Sequence, residues 1–549
     1  MKKRNFWGFG LIFAVSIIVL LALKGDDRNF EISKQLDIYA TLFREVNLFY
    51  VDETDPGDMV TESIHGMLKS LDPYTVYYPE SEMEDVKLMT TGEYAGIGSI
   101  ISQKGDYVII REPYKNSPAD KAGLLPGDII LAIDGNSVKG KSTADVSELL
   151  KGQPGKEISI RIQREGVEKP VEKKAIREKI QLPSVPYYNL ANDRTGYIYL
   201  NGFTDKAATE VRKAIIDLKN RGAENLILDL RGNSGGLLDQ AVEICNFFLP
   251  MDSKVVDTKG KLEQWDKEYK ASKNPIVPDM PLVVLIDRSS ASASEIVSGA
   301  LQDYDRAVLI GERSFGKGLV QTVRDIAYNT KVKITTAKYY IPSGRCIQAV
   351  DYSHRNPDGS VGKVPDSLMT EFKTAAGRKV YDGGGITPDI KIEPDSYARI
   401  VQELVIKDLF FDFVNRYALK HPEIAPIGSF KITDDVYDQF KKFLKTKNFS
   451  YETDSEKALE KLVSTSKSEK YYDSISGEVE KLRAQFIHST ERDLEVFKEE
   501  ISGLLAEQFI QRYYFSEGVI EYNLKTDKEV LKALEILSDQ AGYAQLLRP

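Results

Sequence analysis

Histidine is scarce in this chain, with four in 549 residues, at positions 65, 354, 421 and 488, none in a recognisable active-site context. A hydrolase relying on an imidazole base has little to draw on. Cysteine is scarcer, with Cys245 and Cys346 alone. That excludes a disulfide framework and leaves either a single bond or two small buried thiols. No H-E-x-x-H, paired CxxC or calcium-loop pattern occurs, so neither a metal nor another cofactor is expected. No charge sign dominates either: 74 basic and 83 acidic residues give a net of −9, with the signs mixed along the chain. That pattern offers nothing to a nucleic acid. Long repeats and low-complexity tracts are missing, and the length points to three or four domains rather than one core.

What is present is a serine set among alanines, in Asp287-Arg-Ser-Ser-Ala-Ser-Ala-Ser-Glu295, and a lysine between glycines, in Gly311-Glu-Arg-Ser-Phe-Gly-Lys-Gly-Leu-Val-Gln321. The apolar run 281–287 predicts a buried strand, and Ile296, Val297, Ala300 and Leu301 predict a helix over 291–303. The serines therefore fall where a strand turns into a helix, whose first N–H groups lack partners and favour a developing oxyanion. An N-cap role for Ser290 or Ser292 is the plain structural alternative. A lysine can serve as the base for such a serine once its amine is neutral, and burial beside Phe315 and Leu319 would favour that form.

Three other patterns compete. Residues 311–318 approach the phosphate-loop spacing, but Gly318 stands where a magnesium-binding hydroxyl is needed and a strand follows. Ser314 to Lys317 has S-x-x-K spacing without the K-T-G partner of penicillin-binding enzymes. Gly232-Asn-Ser-Gly-Gly236 satisfies G-x-S-x-G between a strand at 225–230 and a helix at 237–248, so Ser234 could be the nucleophile of a histidine-dependent esterase. A catalytically silent scaffold is a further possibility.

Taken together, the serine and lysine segments resemble the C-terminal processing (tail-specific) peptidases, serine endopeptidases with a Ser/Lys dyad. In that family the nucleophile precedes the lysine by 25 residues, which selects Ser292 for Lys317. The resemblance implies that Gln321 orients the lysine and that Glu295 tunes the site or caps the helix. It also implies that the N–H groups of Ala293 and of Gly235 or Gly236, in the loop Leu230-Arg-Gly-Asn-Ser-Gly-Gly236, form an oxyanion hole. Asp382-Gly-Gly-Gly-Ile-Thr-Pro-Asp389 resembles the family's closing segment. The resemblance covers roughly residues 35–395.

The stretch 116–135 resembles a PDZ core, with Ile129, Leu131 and Ile133 alternating along a strand. PDZ domains add a peptide as an extra strand and hold its terminal carboxylate on loop N–H groups. Gly96, Ile97, Gly98 and Ser99 are the expected carboxylate loop, and 142–150 the helix beside it. A PDZ that only packs on the catalytic domain is the alternative.

At the N-terminus Lys2, Lys3 and Arg4 precede an uncharged run, Phe6 to Leu23. This reads as an anchor or a signal, with the rest of the chain exported to a bacterial cell envelope, anchored there or released by cleavage. Helical periodicity over 36–49 and 59–71 marks a region that in this family can pair subunits. Beyond about 400, Ile475, Val479, Leu482 and Phe486, then Leu494, Phe497, Ile501 and Leu504, mark amphipathic helices, and Thr526 to Glu529 resembles a capping box.

The expected fold is multidomain α/β: a mixed α/β, crotonase-like peptidase core with an inserted PDZ domain, an N-terminal helical region and a C-terminal helical domain. The expected bounds are 1–27 for the tail and membrane segment, 30–92 helical, 93–178 PDZ, 179–398 peptidase and 399–549 helical. Expected partners are protein or peptide C-termini, a second copy in a dimer, an adaptor, and a membrane through the N-terminal segment alone.

Overall fold

The computed structural model describes residues 7–356, 358, 360–486 and 489–549, with the side chains of 7–27 and 485–486 outside that description. It divides into two units, Met1–Tyr77 and Tyr78–Pro549. The first holds two helices, Trp7–Phe49 and Pro56–Lys69. Asp55 starts the second by accepting the N–H groups of Gly57 at 2.7 Å and Asp58 at 3.0 Å, with Pro56 at the position where its missing N–H costs nothing. Phe30, Leu36, Leu42 and Leu48 of the long helix are each at least 59% exposed, and their six-residue spacing sets them on different sides of the helix. The run Phe6–Leu23, expected as an anchor, lies with its side chains outside the described residues. Among the described residues no helix is long and apolar enough to cross a membrane.

The second unit is organised by a six-stranded sheet in the order β1 (Tyr187–Asn192), β2 (Thr195–Tyr199), β3 (Asn225–Asp229), β4 (Leu282–Ile286), β5 (Val308–Gly311), β8 (Ile390–Lys391). β1 runs antiparallel to β2 and the other pairs are parallel. The parallel strands are short, apolar and buried on both faces, as crossover connections require. Ile198, Leu226, Leu228, Val284 and Leu309 face helices α1 (Ala207–Asn220), α2 (Leu238–Cys245) and α3 (Ala293–Asp303). The alternate residues Tyr197, Ile227, Val283, Leu285 and Ile310 face the end of the chain. After β5 come β6 (Leu319–Asp325) and β7 (Lys331–Tyr340), antiparallel neighbours in a second, five-stranded sheet in which β7 also pairs the strand Lys254–Gly260.

The PDZ domain is a sheet of Ser99–Lys104, Tyr107–Pro113, Ile129–Ile133, Glu157–Gln163 and Val171–Ile176, with helix Thr143–Leu150 beside it. Ser142 caps that helix in a reciprocal capping box with Asp145. The chain enters and leaves through a two-stranded ribbon, Glu93–Gly96 against Glu178–Gln181.

The C-terminal helices have two partners. Helices Leu409–Ala418, Asp434–Thr446 and α4 (Lys498–Asn523) share an aromatic core of Phe413, Phe440 and Phe509. The last two, α5 (Lys528–Ser538) and α6 (Gln540–Leu546), pack instead on the peptidase sheet through Val530, Ala533, Ile536, Leu537 and Tyr543. The Tyr543 hydroxyl reaches the edge of β4, accepting the Leu282 N–H at 3.0 Å. The cap of α5 is Asp527, one residue later than the capping-box pattern predicts, accepting from Glu529 and Val530.

The PDZ strand Tyr107–Pro113 is bound to the helical bundle. Arg111 grips Asp408 with bonds of 2.6 and 2.7 Å and lies over the Phe411 ring. Helix α4 breaks at Phe515, with φ 62° and ψ −175°. The buried carboxylate of Glu112 caps the second half, accepting Ser516 N–H at 3.1 Å, Ser516 Oγ at 2.8 Å and Gln511 Nε2 at 3.2 Å.

Candidate active site

Ser292 occupies the turn from β4 into α3, half-buried, at φ 54° and ψ −111°. Positive φ is unfavourable for a residue with a Cβ, and it is why α3 starts at Ala293 rather than at the expected 291. The turn is fixed from beneath. Asp287 Oδ1 accepts N–H groups from Ser289 at 3.0 Å, Ser290 at 2.9 Å and Gly232 at 3.0 Å. Ser290 Oγ is buried and donates to Leu230 O at 2.8 Å, so this hydroxyl ties two strand ends together.

The loop 231–236 lies against Ser292. Buried Asn233 holds the two turns in register: its carbonyl accepts Ala291 N–H at 3.0 Å and Ser294 Oγ at 2.8 Å, and its Nδ2 donates to Leu200 O at 2.7 Å. Asn233 Oδ1 also takes the Gly235 N–H at 2.9 Å. The Gly236 and Ala293 N–H groups make no hydrogen bond among the described residues. Gly235, at φ 106°, approaches so closely that a Cβ there would stand 2.9 Å from Ser292 Cβ and 2.8 Å from the Ala291 carbonyl.

Glu295 joins the serine turn to the lysine loop. It is wholly buried, and its carboxylate accepts Ser292 N–H at 2.8 Å, Lys317 N–H at 2.8 Å, Gly316 N–H at 2.7 Å and Ser314 Oγ at 2.5 Å. Burial pushes its carboxyl above the ordinary range, and these four donors pull it back. Phe315 N–H adds a direct link to Ser290 O at 3.0 Å. The Gly-Gly-Gly-Ile segment clamps Ser314 from the far side, through Ile386 N–H to Ser314 Oγ at 2.6 Å. Lys317 is half-buried. Of its two expected apolar neighbours Leu319 is 8% exposed, whereas Phe315 is 48% exposed and turned toward solvent. Gln321 stands on β6 and donates to Thr335 Oγ1 at 3.2 Å across the ladder. Buried Tyr339, which sequence reasoning missed, donates its hydroxyl to the Ser292 carbonyl at 3.2 Å.

A second anchor was not legible in the sequence. Arg231, at the head of the loop 231–236, pairs with Asp229 beneath it and reaches Asp527 at 2.7 Å and Glu529 at 3.2 Å on α5. Burial and the Asp527 carboxylate push Glu529 up to about 6.

Ser234 is exposed. His354 bonds Asp351 at 2.6 Å and His421 bonds the Tyr417 carbonyl at 3.0 Å, so each is engaged away from Ser234, and His488 lies outside the described residues.

In the PDZ domain Gly96 ends a strand, Ile97 is buried, Gly98 turns at φ 75° and Ser99 opens the next strand. Ile97, Gly98 and Ser99, but not Gly96, line a cavity of about 170 Å³ with Ile101, Tyr114 and Leu150. Ser99 Oγ is buried there with no partner. The Tyr94 phenol sits against this loop. Burial pushes it well above the ordinary range, and the Ser99 and Gly98 N–H groups pull the other way.

Comparison with known proteins gives this geometry a family. The family model described as Peptidase family S41 matches residues 194–358, a PDZ domain model matches 109–164, and the C-terminal helical domain of a probable PDZ-protease matches 400–537. A carboxy-terminal-processing protease of Bartonella bacilliformis is 35% identical over 354 residues, covering 64% of this chain and 81% of that protein. The chain belongs to peptidase family S41. A probable CtpA-like serine protease of Staphylococcus haemolyticus is 34% identical over 70% of this chain and 76% of its own length. Among solved structures, the photosystem II D1 C-terminal processing protease is 27% identical at a TM-score of 0.36, covering 66% of this chain and 94% of that one. As an S41 peptidase the chain is a serine-type peptidase carrying a PDZ domain, on a mixed α/β fold with a C-terminal helical domain.

Proposed function

We propose that this S41 peptidase is an exported endopeptidase that recognises protein C-termini through its PDZ domain and cleaves near them with a Ser292–Lys317 dyad. The observation that carries the reading is the shared buried carboxylate of Glu295, which fixes the serine turn and the lysine loop to one another. Lys317, as the neutral amine, takes the proton of Ser292 Oγ as that oxygen adds to the scissile carbonyl. The N–H groups of Ala293 and Gly236 face the developing oxyanion. The tetrahedral species expels the amine, which leaves with the proton from Lys317. Water, deprotonated by Lys317, then adds to the acyl carbonyl, and the ester bond breaks as Lys317 returns the proton to Ser292 Oγ. Gln321 orients the lysine without carrying charge, and Glu295 is a positioning residue. An added peptide strand would place its carboxylate on the N–H groups of Gly98 and Ser99, displacing the Tyr94 phenol. The exposed apolar side chains of the long helix, Leu36 and Leu42 among them, support pairing of two copies, and the 6–23 run supports an N-terminal anchor or signal in a bacterial envelope.

The test is digestion of an unfolded protein and its C-terminally amidated form, followed by mass spectrometry, beside the Ser292→Ala variant. Cleavage by the parent alone, weakened by amidation, is expected. Equal cleavage by both enzymes would overturn the dyad and return attention to Ser234. Binding of free-carboxylate peptides without cleavage would indicate a scaffold.

Gly235→Ala is expected to lower kcat by roughly 100-fold at similar KM, because the added methyl pushes the oxyanion loop off Ser292. Steady-state kinetics on a peptide substrate checks this, and unchanged kcat would separate the loop from the reaction.

A further inference from the structure

Where the PDZ domain meets the helical bundle, a cavity of about 400 Å³ lies between the PDZ turns at 125–129 and 163–167 and helix α4. Its wall carries an anomaly. Arg512 Nε is buried with no hydrogen-bond partner, and among the described residues no carboxylate pairs with this guanidinium. Its near contact is the ring of Tyr513, 5.8 Å away. The adjacent carboxylate, Asp128, is 1% exposed and already saturated, accepting Arg164 Nε and Nη2 at 2.7 Å each and Leu125 N–H at 2.8 Å. Two guanidinium groups thus stand near one carboxylate, and Arg164 alone is paired with it. Burial pushes Arg512 below its ordinary range, and Arg164 adds to that while Asp128 opposes it.

The same imbalance recurs on the opposite wall. Lys104 and Lys447 both line the cavity and share the carboxylate of Asp412, Lys447 at 3.6 Å. Four cations therefore face two inward carboxylates, with Glu165 exposed at the mouth. A second orphan points to a ligand as well. Asn415 is 9% exposed, lines the cavity, and its Oδ1 is buried without a partner. Uncompensated buried charge and unpaired buried amides are costly, and a charged donor fork beside ammonium groups fits a tetrahedral oxyanion. Monohydrogen phosphate has acceptor oxygens for Arg512 and the lysines and one hydroxyl for Asn415.

We infer that this cavity is a binding site for a phosphate-type oxyanion, free or as a monoester, held by Arg512, Lys104, Lys447 and Asn415 where the PDZ domain meets the helical bundle. Bound there, the anion ties the PDZ turns to α4. The site is remote in the chain from the serine and lysine loops, and its occupancy is independent of which serine is the nucleophile.

The experiment uses the full chain carrying Ser292→Ala to prevent self-digestion, alone and with Arg512→Met. Titration with sodium phosphate at constant ionic strength should give one saturable site per chain. Arg512→Met should weaken it by about 10-fold or more. Thermal melting supplies an independent sign: without phosphate Arg512→Met should melt no lower than its parent, because it removes an unpaired buried charge, and with phosphate the parent should melt higher. Glycerol phosphate binding more tightly than free phosphate would identify an ester as the occupant. Phosphate that neither binds nor shifts melting, or that acts equally on both proteins, overturns the site. So does an Arg512→Met protein already less stable in phosphate-free buffer, unless Lys447→Met also lowers phosphate affinity.

Discussion

Replacing Ser292 with alanine should reduce turnover of an unfolded protein substrate by about 10⁴-fold or more, and Lys317→Ala should be equally inactive. In the proposed dyad the two groups act as one unit, so the double variant should be no worse than either single one. Lys317→Arg should fail as well, because a guanidinium does not give up its proton at neutral pH. Both alanine variants should keep the parent's melting profile, since Glu295 holds the loop by the backbone N–H of Lys317 and that bond survives loss of the side chain. Ser290→Ala should behave differently. It removes the buried bond to Leu230 O and should cost stability of about 1 kcal/mol before it costs chemistry. A Lys317→Ala enzyme with near-normal kcat would sink the dyad.

The second large effect concerns the end of the chain. A chain ending at Thr526 should fail to form a soluble peptidase core, although the family match to the peptidase itself ends at residue 358. Helices α5 and α6 cover the sheet face made by Tyr197, Ile227, Val283, Leu285 and Ile310. Burying a Val, Leu or Ile side chain is worth roughly 1.5–3 kcal/mol. Removing Val530, Ile536, Leu537 and Tyr543 therefore takes away an amount comparable to a whole domain's stability of about 5–15 kcal/mol. Arg231 would lose Asp527 and Glu529 in the same step, at the head of the oxyanion loop. Soluble yield and calorimetric melting decide the matter: a truncated chain that melts like its parent would show that the sheet face needs no cover.

The boundary between what was legible in the sequence and what was not follows from range. Ser292, Lys317 and Gln321 could be proposed from sequence because their chemistry and spacing match one family pattern, and the strands at 225–229, 282–286 and 308–311 could be placed because buried parallel strands are continuous apolar runs. The start of α3 was misplaced by two residues because nothing in an Ala-Ser-Ala run announces a positive φ. Glu295 was ambiguous for a different reason. A carboxylate near a lysine could meet its amine or its backbone, and three of the four donors that settle its contacts come from a loop some 20 residues later. The capping pattern at 526–529 announced a helix but not the surface it covers, so the end of the chain falls to the C-terminal helical domain in sequence and to the six-stranded sheet in the fold. Arg512 gave no signal at all, because an arginine on a helix is ordinary until its partners are counted.

The broken helix α4 has a mechanical consequence. The carboxylate that starts its second half belongs to the PDZ domain, so neither body has a complete set of bonds without the other. Separating them would strand Glu112 and reopen a helix end, at a cost of several kcal/mol. Because α4 also sets Ile520 against the sheet cluster of Tyr197, Ile227 and Val283, a pull on the PDZ strand is passed through Glu112 and α4 to the sheet itself, as through a tie rod.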